Sequence, residues 1–306
     1  MEQDRIRTVI MRAGTSKGVF LKAEDLPKNQ QERDQLILKI FGSPDVRQID
    51  GLGGADPLTS KVAIIGPSTR ADADVDYTFG QVSYTAPQVD YSGNCGNISS
   101  GVGPFAVDEG FVKIEEPYTT VRVHNTNTNR VLVERVKVVN GKAKVIGDYS
   151  IAGVPGTGAE ISIDFSGTAG SVTGKLLPTG HAIDKIYVKE LGEVEVSIVD
   201  AANPMVFVRA KDLGLTGIEA PHEIDEDRSV LDILEEIRGK AAQIIGMVEK
   251  WEQAIENNPA FPMIAFVSPA ATYKAFDTGK EISEKDVDFV SRLMFMQIIH
   301  KTYAGT

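Results

Sequence analysis

The residues best able to do chemistry in this sequence are one lysine and one cysteine, each delivered by a glycine-rich turn. Lys61 follows Asp50-Gly51-Leu52-Gly53-Gly54-Ala55-Asp56-Pro57-Leu58-Thr59-Ser60 and begins an apolar run at 62–65. A lysine leaving such a loop onto a strand can be held in a pocket. Desolvation or a neighbouring cation then lowers its pKa and leaves a usable base. The alternative is a surface lysine at a strand start. Cys95, the only cysteine, sits in Tyr91-Ser92-Gly93-Asn94-Cys95-Gly96-Asn97-Ile98-Ser99-Ser100-Gly101. This is a Gly/Asn turn just before a predicted helix. Free N–H groups at a helix start bind carboxylates and lower the pKa of a nearby thiol, and Ser99 and Ser100 add hydroxyls. A buried, inert thiol is the competing reading.

Arg12 and Gly14-Thr15-Ser16-Lys17-Gly18 make a small polar, cationic loop. It could cradle a carboxylate through backbone amides and hydroxyls, or serve as a plain hairpin turn. Asp200-Ala201-Ala202-Asn203-Pro204 interrupts a run of strands, where Asn203 either orients a substrate or closes an Asx-type turn. His124, His181 and His222 have no partner at metal-ligand spacing, and His300 stands beside Lys301-Thr302-Tyr303. There is no H-E-x-x-H, no Walker loop and no G-x-G-x-x-G between strand and helix. No nucleotide, flavin or metal is therefore expected.

The elements that must position these residues are mostly strands. Residues 6–12 and 18–22 read as strands around the polar loop. Residues 30–41 carry Leu36, Ile37, Ile40 and Phe41 on one side before Gly42, which predicts a helix with a glycine stop. Strands are expected at 60–65, 76–84 and 87–91. The small, apolar stretch 97–110 reads as one buried helix despite Pro104. Residues 118–147 read as strands with a hairpin at Asn140-Gly141, and 153–174 as loop with a strand at 160–165. The pattern restarts at 183, with strands at 183–190, 193–200, 204–210 and 262–267 and the longest helix at 226–250. For 284–300 periodicity slightly favours a helix. A boundary near 182–186 separates two strand-rich halves, an α+β arrangement and not alternating βαβ.

Composition narrows the classes further. A chain of 306 residues suggests two domains, and 42% hydrophobic with 25% charged residues is ordinary for a globular protein. No apolar run approaches a bilayer span, and the N-terminus lacks a secretory signal. One cysteine excludes an internal disulfide framework and a cysteine-based zinc cluster. A cytoplasmic location is expected, with no membrane partner. A net charge of −11 without a basic cluster excludes nucleic acid as an expected partner. Any anion site must be built locally, from a few cations and N–H groups.

Met11-Arg12-Ala13-Gly14-Thr15-Ser16-Lys17-Gly18, the segment from Gly51 to Lys61, and Asn94-Cys95-Gly96-Asn97-Ile98-Ser99-Ser100-Gly101 together resemble the PrpF family. Gly174-Lys175-Leu176-Leu177-Pro178-Thr179-Gly180 and Ala202-Asn203-Pro204 extend the likeness along nearly the whole chain. The resemblance implies the fold of diaminopimelate epimerase: two similar strand-rich domains, each a β-barrel-like sheet around a central helix, with the site in the cleft between them. The domains would be 1–184 and 185–306. It favours an extended 284–300. It also implies that members continue past Thr306 into a second central helix, leaving the second domain C-terminally incomplete.

The implied activity is a cofactor-independent isomerase. It would move a proton on a small unsaturated di- or tricarboxylate such as 3-methylitaconate, 2-methylaconitate or oxalomesaconate, by an allylic double-bond shift or a cis–trans isomerisation. The resemblance makes Lys61 the base and Cys95 a second catalytic or positioning group. Thr15, Ser16, Lys17, Asn94, Gly96, Asn97, Ser99, Asn203 and His300 would bind substrate, with no metal. A homo-oligomer is left open. Related epimerases use two cysteines; here Ala304 precedes Gly305-Thr306 where the second would stand, so a two-thiol racemase is disfavoured. The other alternative is a truncated, non-catalytic carboxylate-binding protein.

Overall fold

The computed structural model describes residues 5–305 and is a mixed α+β, strand-rich protein. It divides into two compact units. The first runs to Thr168 and takes in Gly305; the second is Ala169–Ala304. The division falls after Thr168 and not at 184/185, because the loop at 170–176 is tied to Asp200. Gly170 N donates to the Asp200 carbonyl, and Val172 N and Thr173 N donate to its carboxylate.

In the first unit, β1 (Val9–Ala13) and β2 (Ser16–Lys22) form a hairpin. Helix α1 (Gln30–Phe41) follows, then β3 (Lys61–Pro67), β4 (Val75–Val82) and β5 (Val89–Asp90). Two short helices, α2 (Gly96–Ser99) and α3 (Val102–Asp108), lead to β6 (Tyr118–Asn125), β7 (Arg130–Val139), β8 (Lys142–Ala143) and β9 (Ile161–Asp164). The sheet runs β1-β2-β3-β4-β6-β7-β8, with β5 on β4 and β9 on β7. β2/β3 and β4/β6 are parallel pairs, so each needs a crossover. α1 supplies the first and α2–α3 the second.

Helix α1 forms where its ends say it should. The Asn29 side chain accepts from Glu32 N at the start, and Gly42 takes the left-handed conformation at φ 69° at the end. Burying Ile37 and Phe41 contributes roughly 1.5–3 kcal/mol apiece. Asn140 and Gly141, at φ 54° and 70°, make the expected hairpin turn.

Both faces of the first sheet are covered, and strand alternation sorts residues between them. Val19, Leu21, Val62, Ile64 and Val82 face the core that holds Ile37 and Phe41 of α1. Phe20, Ala63, Ile65, Tyr77 and Phe79 face Ile98, Val102 and Phe105 of α2 and α3.

The single helix expected at 97–110 is broken at Ser100–Gly101. Gly101 sits against Phe20: a Cβ there would come within 2.6 Å of the ring. Pro104 is the third residue of α3, where its missing N–H falls in the first turn and breaks no bond.

The second unit contains β10 (Asp184–Val188), β11 (Gly192–Asp200) and β12 (Pro204–Arg209), then α4 (Pro221–Asp225), α5 (Arg228–Ile244) and α6 (Ala254–Asn257). β13 (Met263–Pro269), the small pair β14 (Tyr273–Lys274) and β15 (Glu281–Ile282), β16 (Phe289–Phe295) and β17 (Ile298–Ile299) complete it. Its main sheet runs β10-β11-β12-β13-β16-β17 with β12/β13 parallel, the crossover being carried by α4–α6.

The face of Val206, Ile264 and Met294 packs on Leu234 and Ile237 of α5. The opposite face groups Met205, Met263, Ala265, Leu293 and Phe295, and none of α4, α5 and α6 contributes to it. Among the described residues, helices pack on both faces of the first sheet and on one face of the second.

The α-helix that periodicity favours at 284–300 is absent; after a single 3-10 turn at Glu284–Asp286 the segment is strand, turn, strand, with Met296 and Gln297 left-handed at φ 53° and 66°. β16 is buried on both sides, so Leu293, Met294 and Phe295 read as a continuous apolar run that periodicity cannot tell from a buried helix. No helix among the described residues is long and apolar enough to cross a membrane.

Candidate active site

Lys61 is the first residue of β3, and alternation puts it on the α2–α3 face with Ala63 and Ile65. The loop before it is pinned at several points. Ala55 N donates to Gln48 Oε1 at 2.8 Å, Leu58 N to Asp56 Oδ1 at 2.8 Å, and Gln48 Nε2 to Ser60 Oγ at 2.7 Å. The lysine is thus delivered along a fixed path, not by a flexible arm.

On the parallel neighbour β2 the residue in register is Gly18. A Cβ on Gly18 would lie 2.8 Å from Ile98 Cδ1 and 3.2 Å from the Lys61 carbonyl. Glycine there lets α2 settle beside the lysine.

The lysine is 3% exposed. Its Nζ donates to Gln81 Oε1 at 2.6 Å and lies 5.4 Å from the Phe79 ring centroid. Burial holds its pKa below the ordinary lysine value, while the charges of Cys95 and Asp56 push the other way. Burial thus opposes protonation of this amine, and Cys95 lies close enough to act on it electrostatically.

Cys95 is half-buried, packs against the α2–α3 core, and stands at the N-cap of α2. Helix α2 is a single turn, so the long helix expected to support an anion site behind Cys95 is not there. What replaces it is a side-chain framework. Ser99 N donates to the Cys95 carbonyl at 2.9 Å. The Ser99 hydroxyl lies 3.0 Å from that carbonyl and 3.2 Å from Asn94 Oδ1. Asn125 Nδ2 donates to Asn94 Oδ1 at 3.1 Å, and Asn125 Oδ1 accepts from Thr128 N at 2.9 Å. The thiol is thereby carried on a buried polar scaffold anchored to the end of β6.

The polar loop meets the same scaffold. Thr15 N donates to Asn97 Oδ1 at 3.0 Å, joining the β1–β2 turn to α2. Ser16 shares the α2–α3 face with Gly18 and Phe20; it is 2% exposed, and its Oγ has no hydrogen-bond partner among the described residues. A buried hydroxyl left so costs about 1–3 kcal/mol, which is recovered if a ligand oxygen reaches it. Lys17 N donates to the Leu58 carbonyl at 2.9 Å, and Lys17 Nζ lies beside Gly54, 3.1 Å from where a Cβ would stand. Gly305 lies over the Gly96–Asn97 backbone; a Cβ on it would be 3.1 Å from Asn97 N.

Lys61, Cys95, Thr15, Ser16, Lys17, Asn94, Gly96, Asn97 and Ser99 all belong to the first unit. Asn203 and His300 belong to the second. Asn203 is buried in the turn between β11 and β12. His300 N donates to the Leu293 carbonyl at 2.8 Å, and its Nδ1 accepts from Thr302 N at 3.1 Å. Among the described residues, no group of three His, Cys, Asp or Glu side chains is placed to hold a metal ion.

Sequence reasoning missed Gln81, Gln48 and Asn125. The signal for Gln81 was present: in Tyr77-Thr78-Phe79-Gly80-Gln81 a polar residue takes the third inward position of an alternating strand.

The sequence matches the PrpF protein family over residues 3–306. It is 62% identical over 305 residues to the 3-methylitaconate isomerase of Eubacterium barkeri, covering 100% of this chain and 80% of that protein. It is 37% identical over 317 residues to the 2-methyl-aconitate isomerase of Shewanella oneidensis, covering 99% and 79%. A crystal structure of methylitaconate-delta-isomerase matches the fold with a TM-score of 0.81 at 62% identity, over 100% of this chain and 79% of that one.

Proposed function

The chain belongs to the PrpF protein family, and from that membership we propose the reaction it performs. It is an isomerase of small unsaturated carboxylates, with 3-methylitaconate the first substrate to try and 2-methylaconitate and oxalomesaconate next. Neutral Lys61 takes the proton from the carbon lying between a carboxylate and the C=C bond. The C–H electron pair delocalises into a dienolate, and the amine becomes an ammonium. A proton returned at the far end of the three-carbon unit completes an allylic shift; it comes from that ammonium, or from the Cys95 thiol, whose thiolate then takes the ammonium's proton and restores the amine. One hydrogen and one double bond have moved, and nothing is consumed.

The observation that carries this reading is a buried lysine amine held below its ordinary pKa, with Cys95 electrostatically coupled to it. The carbon acid is weak, so most of the barrier must be lowered by donors aimed at the developing oxyanion. Ser16, whose hydroxyl is buried without a partner among the described residues, and the amides around Gly96 are read in that role. Each unit is further read as a lobe of a diaminopimelate epimerase-like fold; helices α2–α3 lying across one face of the first sheet support this.

The test is proton NMR in D2O with the three substrates. Deuterium entering at an allylic carbon as the isomer forms is the expected result. Binding without exchange overturns the proposal.

A further inference from the structure

Lys61 and Gln81 are register partners across the antiparallel β3–β4 pair and lie on the same face of the sheet. Gln81 is 2% exposed. Its Nε2 donates to the Pro57 carbonyl at 3.1 Å and to the Ser60 carbonyl at 2.9 Å. Those two oxygens accept and cannot donate, so the amide can face them only with its nitrogen. Oε1 is left pointing at Lys61 Nζ, 2.6 Å away. The carbonyls that orient the amide are themselves held. Ser60 Oγ donates to the Val82 carbonyl and accepts from Gln48 Nε2, and Gln48 Oε1 accepts from Ala55 N.

We propose that Gln81 is the positioning residue for the proton-transferring amine: its locked amide gives Lys61 Nζ a fixed, uncharged acceptor and so turns the remaining face of the amine toward substrate. This rests on Lys61 being the base. A carboxylate at the same place would form an ion pair and keep the lysine charged. The amide satisfies one N–H without that charge, so the effect of burial prevails. The titratable groups acting on the amine come from other elements. The approach loop contributes Asp56, and the start of α2 contributes Cys95. β4 presents the neutral Gln81 and the Phe79 ring, with Tyr77 further along the same face, and β2 presents Gly18 in register, with Lys17 next to it.

The test compares the parent chain with Gln81→Glu, Gln81→Met and Lys61→Ala. Two readings are taken: titration of the Lys61 Cε signal in 13C-lysine-labelled protein, assigned by its loss in Lys61→Ala, and the acid limb of kcat/KM for methylitaconate. Gln81→Glu is expected to raise the Lys61 titration midpoint and the acid limb together, by more than about one pH unit. Gln81→Met, which removes an acceptor that favours the charged form, is expected to lower both and to reduce kcat more than it changes KM. If neither variant moves the titration while Lys61→Ala is inactive, Gln81 is only a packing residue and this proposal falls alone. If the titration moves and the acid limb does not, or Lys61→Ala retains exchange, Lys61 is not the base and both proposals fall.

Discussion

The backbone N–H of Thr15 donates to the side-chain carbonyl of Asn97 at 3.0 Å, and Gly14 is what lets the two meet. Gly14 sits at φ 55°, and a Cβ on it would collide with the Asn97 carboxamide. Gly14→Ala therefore adds the left-handed penalty of about 1–2 kcal/mol to a steric clash. We expect urea denaturation to show a loss of at least that size, and kcat/KM to fall by about tenfold or more. A variant with parent stability and turnover would mean the tie between the loop and α2 is dispensable.

Replacing Lys61 should separate activity from stability. General-base catalysis is worth about 10²–10⁴-fold, so Lys61→Met is expected to lose at least that much turnover. Its stability should rise. The folded-state pKa of Lys61 lies below the unfolded value, so in that window the unfolded chain binds the extra proton and the parent loses stability as pH falls. Methionine does not titrate. The stability gap between Lys61→Met and the parent should widen from alkaline toward neutral pH; a constant gap would contradict a buried neutral amine.

Ser16→Ala removes a buried hydroxyl with no partner among the described residues. Deleting such a group does not lower stability and can raise it by about 1 kcal/mol. If the hydroxyl serves a substrate oxygen, KM rises by roughly tenfold while the melting temperature holds. Unchanged kinetics would remove Ser16 from the site.

Glu134 on β7 is fully buried; Gly103 N donates to its Oε2 at 2.9 Å, and burial pushes its pKa up to about 8. Between 4.5, its ordinary value, and about 8 the folded chain holds a proton that the unfolded chain has lost. This one group therefore lowers stability as pH rises through that window, by up to about 1.4 kcal/mol per unit. Glu134→Gln should cancel that slope, so its advantage over the parent grows from acid toward pH 8. Parallel stability curves for the two proteins would show that the carboxyl is not held protonated.

Much of this molecule could be read from residue order. Asn29 and Gly42 bracket α1 at the expected ends, and Asn140-Gly141 turns where expected, because caps and tight turns are local. Lys61 and Cys95 stood out because each follows a run of glycine and polar residues. What stayed hidden is non-local. Gln81 matters through its register against Lys61, and no spacing along the chain reveals which strands pair. The break at Gly101 depends on the ring of Phe20, eighty-one residues earlier. The β16 segment misleads because burial on both faces erases the two-residue alternation that marks a strand.

Mounting the proposed base on an interior strand has a consequence for how the protein can fail. Lys61 and Val62 point into different layers of the first unit, one beside Cys95 and the other beside Phe41 of α1. Shifting β3 by a single position would send the amine into an oily layer and bring valine to the side of Cys95. Such a mispaired chain would bury an amine with no hydrogen-bond partner. Assembly errors of this kind should collapse or be degraded and should not persist as sluggish enzyme, so the placement of the proposed base also acts as proofreading on the fold.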